Sequence, residues 1–249
     1  MSGGTGELAS WLESARYAVA LTGAGVSTES GIPDFRGDEG LWADADPMQV
    51  ASIDGFRDDP SRFWRFWADK FASLTDAAPN ITHRVLAELE ARGRVAGVIT
   101  QNIDGLHTRA GSQRVWEVHG SFRTTTCLVC SRADVVETTF RKVQAGRPPF
   151  CSGCGALEVK PDVVLFGELL PPAFEQARLD VQQADLFLVL GSSLGVHPVA
   201  DLVPEARRAG ARIVVLNRDP GPYDDMADLV LHSRLGPVMG ELSALLGIG

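Results

Sequence analysis

The stretch YAVALTGAGVSTESG, residues 17–31, decides the fold. Tyr17 to Thr22 is a short apolar run that ends at once in Thr22-Gly23-Ala24-Gly25, so it reads as a buried strand entering a glycine turn and then a helix start. Glycines in such a turn let the backbone approach a pyrophosphate, and a helix start offers unpaired N–H groups to an anion. The usual Gly-x-Gly-x-x-Gly fingerprint is nonetheless broken. Thr28 stands where the third glycine belongs, Gly31 and Pro33 stop the helix early, and no acidic residue closes a second strand about 20 residues further on. A hydride-transferring dehydrogenase is therefore disfavoured. The adjoining run Gly31-Ile32-Pro33-Asp34-Phe35-Arg36-Gly37 sets an acid, an aromatic and an arginine in an irregular segment, as a ligand loop requires.

Working outward, further strands are expected at Val95 to Thr100, Arg114 to Val118, Leu186 to Leu190, Ile213 to Asn217 and Leu229 to Leu231. Helices are expected at Glu7 to Arg16, Thr82 to Arg92, Pro172 to Gln183, Val199 to Ala209 and Pro237 to Leu246. Strands alternating with helices give the α/β class, a parallel sheet with helices on both faces. Two segments break that rhythm. One is Leu41 to Ser73, with Trp42, Phe56, Phe63, Trp64, Phe66, Trp67 and Phe71; from Pro60 onward the spacing is helical, so most of this stripe belongs to a core. The other, from about Arg123 to Val159, holds all four cysteines. The expected division is residues 1–40, 81–122 and 160–249 as the nucleotide-binding part, 123–159 as a small inserted zinc-binding module, and 41–80 as a helical insertion belonging to the small domain.

The cysteines are Cys127, Cys130, Cys151 and Cys154, two Cys-x-x-Cys pairs separated by 20 residues. Each pair presents two thiolates from one tight turn, and two facing turns make the tetrahedral sulfur cage of a structural zinc. Two disulfides or a redox pair are the competing readings, and zinc is favoured over both. With all four positions filled by sulfur, the metal is structural rather than catalytic.

Of the 249 residues, 45% are hydrophobic and 22% charged, enough apolar material for a sizeable core. The 23 basic against 32 acidic residues give a net charge of −9, which argues against nonspecific nucleic-acid binding and is compatible with a Lys-rich partner. No run approaches the roughly 18 apolar residues of a membrane span. Met1 to Arg16 carries acids rather than the basic start of a leader, so a cytoplasmic protein without a cleaved signal is expected.

Two more strand ends deliver polar groups: Gln101-Asn102-Ile103-Asp104-Gly105 after Thr100, and His119-Gly120 after Val118. In open α/β sheets ligands bind beyond the carboxyl ends of the strands, so an amide pair, a carboxylate and an imidazole are brought to the binding edge. Gly191-Ser192-Ser193-Leu194-Gly195 adds hydroxyls suited to a phosphate or ribose, and Asn217 can bond another ribose hydroxyl.

With Val118-His119-Gly120, the four cysteines and Pro161-Asp162-Val163-Val164-Leu165-Phe166-Gly167-Glu168 in place, the sequence resembles the sirtuins, a family of NAD-dependent protein-lysine deacylases. The matching blocks run in family order from about Ala18 to Leu231. The resemblance implies a Rossmann-type NAD-binding domain and one structural zinc, with NAD and an acyl-lysine peptide meeting in the cleft between the two parts. It implies that Ala24, Thr28, Phe35 and Arg36, beside Gly23 and Gly25, close over NAD. It places Gln101, Asn102, Ile103 and Asp104 around the nicotinamide and its ribose, with Ser192, Ser193 and Asn217 on the phosphates and adenosine ribose. Val163, Phe166, Gly167 and Glu168, with Gly195 and Val196, would pair with the substrate backbone and line the lysine tunnel. His119 and Asn102 are the catalytic pair by the same resemblance.

The implied reaction is deacetylation. The acyl oxygen attacks the nicotinamide ribose to give an alkylamidate, and His119 takes a proton from the ribose hydroxyl that attacks it. Nicotinamide, acyl-ADP-ribose and free lysine leave. Acyl-selective relatives read a carboxylate with Tyr-x-x-Arg, where this chain carries Trp67 and Lys70, so acetyl is favoured and longer apolar acyl groups are an alternative. Mono-ADP-ribosylation and a non-catalytic module binding ADP-ribose or nucleic acid are the alternatives from other classes. The expected partner is an acyl-lysine protein or peptide, bound by a monomer with no nucleic acid and no membrane.

Overall fold

The computed structural model describes residues 2–34 and 46–248. Among these residues there are nine strands: β1 (Ala18–Thr22), β2 (Gly97–Thr100), β3 (Val115–Glu117), β4 (Gly120–Cys127), β5 (Ala133–Val135), β6 (Val159–Val163), β7 (Leu186–Leu190), β8 (Arg212–Asn217) and β9 (Leu229–His232). Six form one parallel sheet in the order β3-β2-β1-β7-β8-β9. The order reverses between β1 and β7, and that reversal opens a crevice at the carboxyl ends of the strands.

Every residue of β1 and β7 is buried, because alternate side chains point into two different cores. On one face Ala18, Ala20, Val98, Leu188 and Val214 meet Leu8 and Leu12, Leu86 and Leu89, and Val238, Met239 and Leu242. These come from the helices Ser2–Ser14, Ile81–Ala91 and Leu235–Leu245. On the other face Val19, Leu21, Ile99, Val189 and Val215 meet Ala177 and Val181 of Pro172–Gln183, and Leu202, Val203 and Ala206 of Leu202–Arg208.

The expected strands and helices are present, with shifted ends. The first helix starts at Ser2 rather than Glu7, through three glycines that lower its helical propensity. Gly4 is there for contact: a Cβ on it would stand 2.6 Å from Leu231 Cδ2 of β9. The helix expected over Val199 to Ala209 opens with a tighter turn, Val199–Asp201, before Leu202–Arg208.

A second, antiparallel sheet in the order β5-β4-β6 spans Gly120 to Val163 and carries the cysteines at one end. It packs on the helix Pro60–Asp76 through Phe56, Phe63, Trp64, Trp67, Phe122, Phe140, Val163 and Leu165. Burying each of those large aromatics contributes about 1.5–3 kcal/mol. The Trp64 Nε1–H donates to the Val159 carbonyl at 2.7 Å, so the helical insertion and the cysteine-bearing sheet share one core. Trp42, in the expected aromatic stripe, lies outside the described residues.

Candidate functional site

The glycine turn after β1 is held against the end of β7. Gly25 N–H donates to the Gly191 carbonyl at 2.9 Å, and a Cβ on Gly23 or Gly25 would lie 2.8 Å from that same oxygen. Gly191 itself has φ +60°, and a Cβ there would stand 2.6 Å from Val26 N. These glycines therefore allow two loops to cross in contact at the reversal of strand order. Their position puts the loops at the head of a cleft of about 1360 Å³.

Gly23, Ala24, Gly25 and Thr28 line this cleft, as do Gln101, Asn102, Ile103 and His119 from the ends of β2 and β3. Ser192, Ser193 and Asn217 line it from the ends of β7 and β8, and Val163, Phe166, Gly167, Glu168 and Val196 form the opposite side. Gly195 does not. Asp104 lies in a small apolar pocket that shares Ala24, Trp67, Asn102 and Ile103 with the cleft. Phe35 and Arg36 lie outside the described residues.

Three side chains form a hydrogen-bonded chain under the cleft. The buried Asn102 amide donates to the Gly23 carbonyl and to Ser27 Oγ, each at 3.1 Å. The Ser27 hydroxyl donates in turn to the Asp104 carboxylate at 2.7 Å. The other Asp104 oxygen accepts from Leu106 N–H at 2.8 Å. Burial pushes the Asp104 carboxyl up from its ordinary value, against the pull of those two donors. Ser27, 1% exposed, is thus the centre of the arrangement, a role that its place in the glycine-turn motif does not assign.

His119 Nδ1 lies 3.1 Å from the Gln101 carbonyl oxygen. A carbonyl can only accept, so the neutral ring carries its proton on Nδ1 and keeps the lone pair on Nε2. Burial lowers the His119 pKa, although the Gln101 bond raises it. The Gln101 amide donates to Ser192 Oγ at 2.8 Å, which ties the ends of β2 and β7 together. A neutral, oriented imidazole beside a buried amide and a buried carboxyl can take up a proton from a bound hydroxyl.

Trp67 is both core and wall. It is 4% exposed, its Nε1–H donates to the Val50 carbonyl at 2.8 Å, and it lines the cleft. Lys70 stands over the Phe66 ring at 5.1 Å.

The four cysteine sulfurs lie within 4.8 Å of one another, with Cys127–Cys154 and Cys130–Cys151 each at 3.7 Å. A zinc with sulfur ligands at about 2.3 Å places them about 3.8 Å apart at the corners of a tetrahedron, whereas a disulfide needs about 2.05 Å. The set fits one structural zinc, with Cys127 and Cys151 buried and the other two exposed. No helix of the described residues is long and apolar enough to cross a membrane.

The sequence profile of the Sir2 family matches residues 23–198. An NAD-dependent protein deacetylase of Caldivirga maquilingensis is 45% identical over 246 residues, covering 96% of this chain and 93% of that one. An NAD-dependent protein deacylase 2 of Archaeoglobus fulgidus is 44% identical over 232 residues, covering 93% and 91%. A solved structure bearing on the mechanism and regulation of Sir2 enzymes superposes with a TM-score of 0.92 at 42% identity, covering 99% of both chains. A Sir2 with p53 peptide and NAD+ superposes with a TM-score of 0.90 at 38% identity, covering 98% of both.

Proposed function

The chain belongs to the Sir2 family, and from that premise we propose the roles of its residues in NAD-dependent protein-lysine deacetylation. NAD, when bound, would supply an electrophilic ribose carbon for the acyl oxygen with nicotinamide as the leaving group; with one water consumed, the products are nicotinamide, acyl-ADP-ribose and free lysine. The observation that carries the residue roles is that His119 and Asn102 line one cleft, with Asn102 hydrogen-bonded from behind through Ser27 to Asp104 in the adjoining pocket.

His119 is the general base. With Nδ1 engaged by Gln101, its Nε2 takes the proton from the attacking ribose hydroxyl. Asn102, anchored on Gly23 and Ser27, orients the ribose, and Gln101 and Ile103 complete that wall. Asp104, still able to donate when protonated or accept when ionised, meets the carboxamide. Gly23, Ala24, Gly25 and Thr28 border the pyrophosphate, with Ser192, Ser193 and Asn217 on the phosphates and the adenosine ribose. Phe35 and Arg36 are assigned to closure over NAD on sequence alone. Val163, Phe166, Gly167, Glu168, Gly195 and Val196 take the peptide, which adds as a strand between two segments.

A volume of about 1360 Å³ exceeds the roughly 300–1000 Å³ of a single small-molecule site, in keeping with a dinucleotide and a peptide held together. Trp67 and Lys70, standing where a Tyr-x-x-Arg pair would read a carboxylate, support acetyl over acidic acyl groups. The reading includes a monomer in the cytoplasm that takes no nucleic acid, the last supported by the net charge of −9.

An acetyl-lysine peptide incubated with the protein is expected to lose one acetyl mass only when NAD is present, with acetyl-ADP-ribose and nicotinamide formed in step. ADP-ribose mass appearing on protein while the peptide keeps its acetyl group would replace this reading with ADP-ribosylation.

A further inference from the structure

Lys160 lies on β6 with 8% of its surface exposed, and no part of the chemistry above uses it. A lysine so deeply placed persists only if its ammonium is fully partnered. Here its three donors reach the Pro161 carbonyl at 3.0 Å, the Val163 carbonyl at 2.7 Å and Glu168 Oε2 at 3.1 Å. The same Glu168 oxygen accepts the Leu165 N–H at 2.8 Å. One ion pair thus satisfies backbone groups at both ends of the segment 163–165.

The remaining backbone bonds of that segment go elsewhere. Val164 N–H donates to the His119 carbonyl at 2.8 Å, and Phe166 N–H to the Ala51 carbonyl at 2.8 Å. Glu168 N–H closes on the Leu165 carbonyl at 3.0 Å. The chain from Val163 to Glu168 is therefore pinned by the backbone at His119 and Gly120, by the loop from Ala51 to Ile53, whose Ile53 N–H donates to the Phe166 carbonyl at 3.0 Å, and by the Lys160–Glu168 pair. Only the last depends on side chains.

We propose that Lys160 is a positioning residue: with Glu168 it fixes the 163–168 segment in the shape that pairs with the acyl-lysine peptide, beside His119. This rests on the assignment of that segment to the peptide. Glu168 then acts through Lys160, its carboxylate turned inward as a fastener. Without the ammonium, the Val163 carbonyl loses a partner, and the carboxylate that holds Leu165 N–H loses its counter-charge.

Two readouts on Lys160→Met, Lys160→Arg and Glu168→Gln test this. Hydrogen exchange of the substrate-free protein is expected to speed up about tenfold at the amides of Leu165 and its neighbours in Lys160→Met, while β1 and β7 stay protected. Lys160→Arg, which keeps charge and donors, should restore most of the protection. In turnover, the peptide KM should rise about tenfold in Lys160→Met with the NAD KM changed less than about twofold. Unchanged exchange at 163–168, or equal rises in both KM values, overturns the proposal. If Lys160→Met does not fold, Glu168→Gln decides by the same two criteria, since its side chain is 24% exposed and tolerates the change. A wild-type protein that leaves every acyl peptide intact defeats the functional reading alone, and the exchange data still decide the role of Lys160.

Discussion

The Nδ1 atom of His119 lies 3.1 Å from the carbonyl oxygen of Gln101, a residue at the end of a neighbouring strand. That contact engages Nδ1 and leaves Nε2 with the free lone pair, the nitrogen that accepts the proton in the proposed reaction. His119→Ala is expected to lower deacetylation by at least about 100-fold, the usual scale for losing a general base. NAD binding, measured by calorimetry, should largely survive. Wild-type-like turnover in the variant removes His119 from the mechanism.

Burial holds the His119 pKa below its ordinary 6.5, and the proposed mechanism uses the neutral ring. Protonation of the ring therefore removes the base. Activity should persist as pH falls through 7 and decline only below about 6.5, where the ring takes its proton. A pH profile of kcat/KM whose acid limb is centred above 6.5 contradicts a buried base.

Gly191 offers a test of the crossing loops. At φ +60° a Cβ is strained, and it would also stand 2.6 Å from Val26 N. Gly191→Ala should cost about 2–4 kcal/mol, seen as a fall in Tm of about 5–12 °C. Gly210, at φ +90° with open space around it, isolates the strain alone, and Gly210→Ala should cost only about 1 kcal/mol. Equal Tm shifts in the two variants would show that backbone strain, and not contact between the loops, sets the requirement at Gly191.

Zinc removal should act on the peptide side first. β4 starts at Gly120, next to His119, and β6 ends at Val163, so both strands run from the cysteine end to the cleft. Chelation is expected to release one zinc per chain, measured with a metallochromic dye, and to abolish turnover. Amides of residues 120–163 should lose exchange protection while β1 and β7 retain theirs. Undiminished activity in fully metal-free protein would separate the cysteine cluster from the cleft.

The parts of this molecule legible in its sequence are those whose signal is local. β1, β7 and β8 show as short apolar runs because both faces are covered. Gln101, Asn102, Asp104 and His119 stand out because they are polar groups placed directly after such runs. The helical start at Ser2 is hidden, since Gly3, Gly4 and Gly6 argue against a helix and only packing on Leu231 explains one of them. Ser27 and Lys160 are hidden for a related reason. Ser27 matters through Asn102 and Asp104, which lie 75 and 77 residues away, and no window of sequence contains that relation. Lys160 sits close to its partners in sequence, but only the turn of the chain brings one ammonium to three oxygens.

A pair of core histidines bears on stability rather than chemistry. The rings of His83 and His107 lie 4.8 Å apart in the core, with His107 Nε2 2.9 Å from Thr22 Oγ1 of β1. Desolvation lowers the His83 pKa to about 4 and that of His107 to about 3. In the unfolded chain both return to about 6.5, so below that pH the unfolded state binds more protons than the folded one. Stability is therefore full above about pH 6.5 and falls as the solution is acidified, by up to about 1.4 kcal/mol per pH unit for each histidine. Asp104, with its pKa raised by burial, works in the opposite sense, and the histidine contribution is read between about pH 5 and 6.5 from the difference between wild type and variant. Urea unfolding across that window should show a fall in stability with acid in the wild type and a shallower one in His107→Asn, the difference approaching about 1.4 kcal/mol per pH unit, whatever its absolute stability. An unchanged slope in that variant would mean that His107 is not held neutral by the core.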